Sequence, residues 1–226
     1  MKRMILFCSI IFATIFSSAQ IIHDDHSLQE TYINKLTLEG RTTKSYDEIQ
    51  GSPYLSEDFV PANVLASDKT EQAKVMMRYN IYADEMEFQD RGGKILALNK
   101  TNDENIIVLH EKKFKYFPQA NLKSYCEILS EGEITLLKKY SVVYQKPEAP
   151  KAYQQSAPAR FISGKERYYL LKDNNDVQYL SKTKDIIENL DGFQSEAKSF
   201  ASENKLKLKS EEDLKKLVDF YNEKNK

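Results

Sequence analysis

Apolar and polar positions along this chain alternate in short runs divided by turn residues, and helical spacing enters only from Ile186 onward. The alternation is plainest between Val75 and Tyr82. Odd positions there are Val75, Met77, Tyr79 and Ile81, and even positions are Met76, Arg78, Asn80 and Tyr82. A period of two with one strongly apolar face predicts a strand. Met86 and Phe88 then alternate with Glu85, Glu87 and Gln89, which predicts a half-buried strand with Met86 and Phe88 inward and the glutamates outward. Ala83-Asp84 is the expected hairpin tip between the two. "DRGG" marks the next turn, because adjacent glycines accept positive φ, and Ile95–Leu98 supplies a third strand. Residues 78–98 therefore read as a three-stranded antiparallel meander.

The pattern extends in both directions. Upstream, "GSPYL" is a turn, Val64-Leu65 a short apolar step and "SDKTEQ" a loop. Downstream, "ENIIVLH" and "FKYFP" are strands around "EKK", and "KSYCEILS" and "EITLLKKYSVVYQ" flank the hairpin signal "EG". In that last arm Ile134, Leu136, Tyr140, Val142 and Tyr144 share a face, with Lys138 the exception. Its length, Glu133 to Gln145, predicts a bend or a passage between two sheets. "RYYLLK" and "VQYLS" form one more hairpin around "DNND".

Ile186, Ile187 and Leu190 then begin an apolar stripe. Asp191 with Gln194 resembles a capping box for a helix carrying Phe193, Ala197, Phe200 and Ala201. Ser210 caps a last helix whose Leu214, Leu217, Val218 and Tyr221 fall at helical spacing. Glu211, Glu212 and Asp213 suit its positive N-terminal end.

The expected fold is β-rich α+β: an antiparallel β-meander body, sandwich or barrel-like, followed by a small C-terminal helical unit. The expected division is a signal peptide over 1–19, a mobile segment over 20–45 and a β body over 46–145. A Pro/Ala/Gln-rich linker or loop over 146–159 and a hairpin with two or three helices over 160–226 complete it.

The leader changes the picture most. Lys2 and Arg3 precede an apolar run from Met4 to Phe16, shorter than the ~20 residues of a membrane anchor, and Ser17-Ser18-Ala19 supplies small residues for cleavage before Gln20. The expectation is an exported chain, periplasmic or extracellular, soluble after cleavage and without a transmembrane anchor. Phe7 before Cys8 argues against a lipoprotein signal. Cys126 is then the one remaining cysteine, so stability rests on packing rather than a disulfide, and its alternation with Ile128 reads as a small buried hydrophobe. The formal charge of −1 argues against nucleic acid as a partner. Fourteen tyrosines favour strands, and the seven glycines and six prolines fall mostly between the apolar runs.

Candidate chemistry is sparse. No nucleophile elbow, phosphate-binding loop or zinc-protease motif occurs. His110 is the one histidine of the predicted body. "HDDH", His23, Asp24, Asp25 and His26, carries ligand types suited to a divalent transition metal, in a segment with little to fix its geometry. Asp84, Glu85 and Glu87 could serve glycoside hydrolysis if two carboxylates met in a cleft; alternating acids on a strand are otherwise its wet face. Tyr79, Tyr82 and Glu85 are the candidate binding residues, with the two tyrosines on opposite faces. No cofactor is expected.

Taken together, "GSPYL", "EDF", "RYNIYADEMEF", "LLKKYSVVY" and "ENKLKLKSEEDLKKLVDFYN" resemble a group of exported, functionally uncharacterised proteins of Gram-negative bacteria, from about Tyr46 to Asn222. The resemblance implies an envelope or secreted setting and assigns no catalytic residue. The function expected from these features is a non-enzymatic binding or structural module of the cell envelope, whose partner is an envelope protein or polymer. A hydrolase-like enzyme, or a metal binder using the N-terminal cluster, is the alternative.

Overall fold

The computed structural model describes residues 31–37, 40–100, 104–147, 157–172 and 176–225. The leader, the "HDDH" cluster and residues 148–156 lie outside them. A short helix, α1, spans 31–37. The strands that follow are β1 Arg41–Thr42, β2 Val60–Leu65, β3 Glu71–Asn80, β4 Glu85–Gln89, β5 Ile95–Ala97, β6 Ile106–Leu109 and β7 Lys112–Phe117. Next come β8 Ser124–Ser130, β9 Ile134–Lys139, β10 Val142–Gln145, β11 Arg160–Ser163, β12 Arg167–Lys172 and β13 Asp176–Leu180. A 3-10 helix at Thr183–Asn189, α2 at Gln194–Glu203 and α3 at Glu211–Lys224 end the chain.

Eleven strands form one antiparallel sheet in the order β1-β5-β4-β3-β2-β6-β7-β8-β9-β12-β13, and β10-β11 is a separate ribbon. The expected β-rich body with a helical C-terminal unit is what forms, and β3-β4-β5 is the expected meander. The arm from Glu133 breaks at Tyr140-Ser141 and contributes β9 to the main sheet and β10 to the ribbon.

The sheet is open but strongly curled. β3 and β8 lie four strands apart, which in a flat sheet means about 19 Å, yet the rings of Tyr79 and Tyr125 stand 6.2 Å apart. Large side chains on the concave face cause this: Met77, Tyr79, Met86, Phe88, Phe114 and Tyr125 fill one another's space in a single cluster. Leu36 of α1 closes it from the side. Asp84, at φ +55° in the β3–β4 turn, pins the curl. Its Oδ1 accepts from the Tyr79 hydroxyl at 2.9 Å, the Ser124 hydroxyl at 2.8 Å and the Tyr125 N–H at 3.0 Å. Lys100 Nζ lies 3.0 Å from Oδ2.

The same face continues past β8. Cross-strand partners share a face, and the register runs Ile107, Phe114, Glu127, Lys138, Tyr168, Leu180 across successive strands. Glu127 and Lys138 interrupt this row with charge. On their far side a second cluster holds Ile134, Leu136, Leu170 and Leu180 under Leu214, Leu217 and Val218 of α3. The polar seam is fully paired. Glu127 takes Lys112 Nζ at 2.8 Å and the Tyr140 hydroxyl at 2.6 Å. Lys138 Nζ lies 2.9 Å from Glu166 and 2.7 Å from Glu211. Burial works to lower the Lys138 pKa, and the hydrogen bonds and charges of Glu211 and Glu166 outweigh it and raise it.

Ser210 caps α3 as expected, its hydroxyl accepting from the Asp213 N–H at 3.2 Å. Buried Asn222 docks that helix on the β8–β9 hairpin. Its Oδ1 accepts from the Ile134 N–H at 3.0 Å, and its Nδ2 donates to the Ile134 carbonyl at 2.9 Å. The capping-box reading at Asp191 is corrected: Phe193 holds the N-cap position of α2 without a side-chain bond, and Asp191 instead pairs with Lys172 at 2.7 Å. On the opposite face of the sheet, Cys126 packs with Phe117, Leu122, Leu137, Tyr169 and Val177. It is buried and unpaired, and burial pushes its thiol up to about 12.

Candidate binding cleft

The segment before β2 lies along the end of β3. Leu55 N–H donates to the Tyr79 carbonyl at 2.9 Å and Ile81 N–H to the Pro53 carbonyl at 2.9 Å, which sets Tyr54 opposite Asn80. Tyr54 therefore shares the outer, convex face with Arg78, Asn80 and Glu87. This face was expected to be wet, with Glu87 outward. Glu87 does point outward from the concave core, but it is fully buried, because this segment covers it.

A buried carboxylate requires partners, and Glu87 has them. Arg78 Nε lies 2.8 Å from its Oε2, and Asn80 Nδ2 donates to its Oε1 at 2.8 Å. The Arg78 guanidinium stacks between Tyr54, 3.7 Å from the ring centre, and Phe59, at 4.4 Å. It also donates to the Tyr54 hydroxyl and the Glu57 carbonyl. The expected two-residue tip at Ala83-Asp84 would set Arg78 across from Gln89; the chain instead turns over four residues, 81–84, which sets Arg78 directly across from Glu87.

Above this anchor the rings of Tyr46, Tyr54, Tyr82, Tyr144 and Phe161 form one aromatic group. Tyr46 meets Tyr82 at 5.9 Å and Phe161 at 5.3 Å, and Tyr82 meets Phe161 at 4.9 Å. Burial raises the phenol pKa of Tyr46 and of Tyr54. Gly51 lets β11 approach: its φ is +76°, and a Cβ there would collide with the Phe161 carbonyl.

Two cavities open beside this group. One of about 760 Å³ is lined by Lys44, Ser45, Tyr46, Glu57 and Arg78 among others. The other, of about 440 Å³, is lined by Ser52, Tyr140, Ser141, Phe161, Ser163 and Glu166 among others. Gly51 and Tyr54 line both, so the two share a wall. These sizes fall in the range of small-molecule sites. Through Tyr140 and Glu166 the smaller cavity borders the polar seam.

Of the expected binding residues, Tyr82 is 45% exposed within the aromatic group, whereas Tyr79 is 1% exposed and belongs to the concave core. Glu85 pairs with Arg41 at 3.0 Å. The three acids weighed for hydrolysis do not converge: Asp84 pins the curl, Glu85 holds Arg41 and Glu87 holds Arg78. His110 sits exposed at the tip between β6 and β7 with φ +49°. His23, Asp24, Asp25 and His26 lie outside the described residues. Among the described residues no group of three His, Cys, Asp or Glu is placed to hold a metal ion, and no helix is long and apolar enough to cross a membrane. Sequence reasoning missed Tyr46, Tyr54, Arg78 and Phe161. Tyr46 and Phe161 meet only through tertiary packing, and no spacing announces that.

No known family, curated protein or solved structure matches the chain.

Proposed function

We propose that this protein is an exported, non-enzymatic binding module of the bacterial cell envelope, taking its ligand in the cleft around Tyr54. One observation carries the reading: two adjoining cavities share the Tyr54 wall beside a partly exposed aromatic group. Exposed aromatic side chains next to a polar rim are characteristic of recognition surfaces. The engagement of Asp84, Glu85 and Glu87 in ion pairs supports binding over hydrolysis. The leader pattern supports export, with the mature chain beginning at Gln20.

The test is co-sedimentation of the leader-processed protein with envelopes isolated from its native host, with the N-terminus of the native product read by mass spectrometry. The expected results are saturable binding and an N-terminus at Gln20. A product that keeps Met1, or a protein that stays in the supernatant at every envelope concentration, overturns the proposal.

A further inference from the structure

The chemistry of the cleft narrows the ligand class, on the assumption that the cleft is the binding site just proposed. We infer that it takes an oligosaccharide, the accessible stretch of an envelope glycan.

The argument begins with charge. The larger cavity is lined by two cations, Lys44 and Arg78, and two acids, Asp47 and Glu57. Arg78 is already neutralised by Glu87. In the smaller cavity Glu166 shares Lys138 with Glu211. With Arg78 matched to Glu87, the larger cavity keeps Lys44 against Asp47 and Glu57, one acid in excess, so an anionic phosphate ligand meets no surplus of positive charge, and among the described residues no group of three acids, histidines or cysteines is placed to hold a cation.

Hydroxyls come next. Thr43, Ser45 and Tyr46 line the larger cavity, and Ser52, Ser141 and Ser163 the smaller. Each hydroxyl donates and accepts, as a ligand rich in hydroxyls requires and a lipid chain does not. Aromatic walls complete the set: Tyr46 and Tyr54 on one side, Tyr54, Tyr140 and Phe161 on the other. Sugar rings present apolar C–H faces with hydroxyl rims, and this combination of aromatic wall and mixed donor–acceptor rim matches them.

The shared wall adds a further constraint. Two chambers on either side of one tyrosine suit a chain of repeating units better than a single compact ligand. An extended peptide would instead be read mainly by an open strand edge. Beside the cleft, β11 already exchanges backbone hydrogen bonds with Gln50: Phe161 N–H donates to the Gln50 carbonyl at 2.7 Å, and Gln50 N–H to the Ala159 carbonyl at 3.1 Å.

The experiment uses the leader-processed protein and native envelopes in three states: untreated, protease-digested and periodate-oxidised, the last cleaving vicinal diols of sugars. Oligosaccharides released from the same envelopes by glycosidase digestion serve as the soluble competitor. Lys44→Trp fills the larger cavity and Ser163→Trp the smaller, both at exposed positions. Binding is expected to survive protease, to fall at least tenfold after periodate and to be competed by the released oligosaccharides. Each variant is expected to weaken it at least tenfold with an unchanged thermal midpoint.

Loss of binding to protease with none to periodate overturns the glycan assignment and leaves the binding-module reading standing. Failure to bind untreated envelopes overturns both. Glycan binding that both variants retain in full overturns the cleft as its site.

Discussion

One face of one sheet is covered in two different ways. From β3 to β8 the sheet curls and covers itself, with Tyr79, Phe88, Phe114 and Tyr125 reaching across the concavity. From β9 to β13 it carries Ile134, Leu136, Leu170 and Leu180, and helices cover it. The difference lies in side-chain size. Rings of 150 to 250 Å² bury themselves against partners several strands away, whereas aliphatic side chains reach only their neighbours and need a leucine-bearing helix above them. Charge marks the change of method, because Glu127 and Lys138 occupy the row between the two clusters. Each region also has its own polar pin, Asp84 for the curl and Asn222 for the helix.

Substitutions should separate the two regions. The largest effect is expected for Glu87→Ala, which leaves the Arg78 guanidinium, 15% exposed, without its counter-charge. A loss of about 4 kcal/mol in denaturant unfolding is expected, and hydrogen exchange should accelerate first in β3, β4 and the segment around Tyr54. Asp84→Ala strands the Tyr125 N–H inside the curl and leaves the Tyr79 hydroxyl only the Tyr125 carbonyl at 3.4 Å, and should cost about 3 kcal/mol, again with β3–β4 leading the exchange. Asn222→Ala should cost about 2 kcal/mol and release the amides of α3 before those of β3. Equal acceleration in both regions for any of these three would sink the idea of separate closures and make the molecule one cooperative unit.

Lys138→Met, at the seam, should cost only about 1 kcal/mol, because the two acids it leaves, Glu166 and Glu211, are 42% and 34% exposed and remain solvated. Alkaline pH tests the same seam. Burial, with the Glu127 hydrogen bond behind it, raises the Tyr140 phenol, and burial followed by the charges of Glu166 and Glu211 raises that of Tyr168. The raised folded pKa values of these phenols and of Lys138 give stability that is whole below about pH 10, the unfolded value of a tyrosine. That stability is lost as pH rises through the folded values, because the unfolded chain gives up its protons first. Phenolate absorbance followed with unfolding should show these two tyrosines ionising only as the helices detach. The smallest effect is expected for Tyr82→Ser, within about 1 kcal/mol by thermal melting, because the ring is nearly half exposed.

Much of the sheet was legible in the sequence because alternation is a local signal. Val75, Met77 and Tyr79 face inward as their spacing says, and Leu214, Leu217 and Val218 do so on α3. Where the chain doubles back over distance, legibility stops. β2 lies between β3 and β6, and no period in "VPANVL" names either neighbour. Lys138 reads as an odd residue on an apolar face and becomes intelligible only beside Glu166 and Glu211. The cleft was the least legible part, because it is made of turn residues whose neighbours come from the far end of the body. Tyr79 and Tyr82 were singled out together, and only the fold separates a core ring from a surface one.

Cys126, the one thiol among the described residues, gives the sheet an internal clock. A protonated sulfur packed behind Phe117 and Leu137 reacts only when β8 and its neighbours part. The rate at which a thiol-directed dye enters the folded protein therefore counts openings of the sheet near the seam. With Cys8 replaced by serine, each count belongs to that place alone.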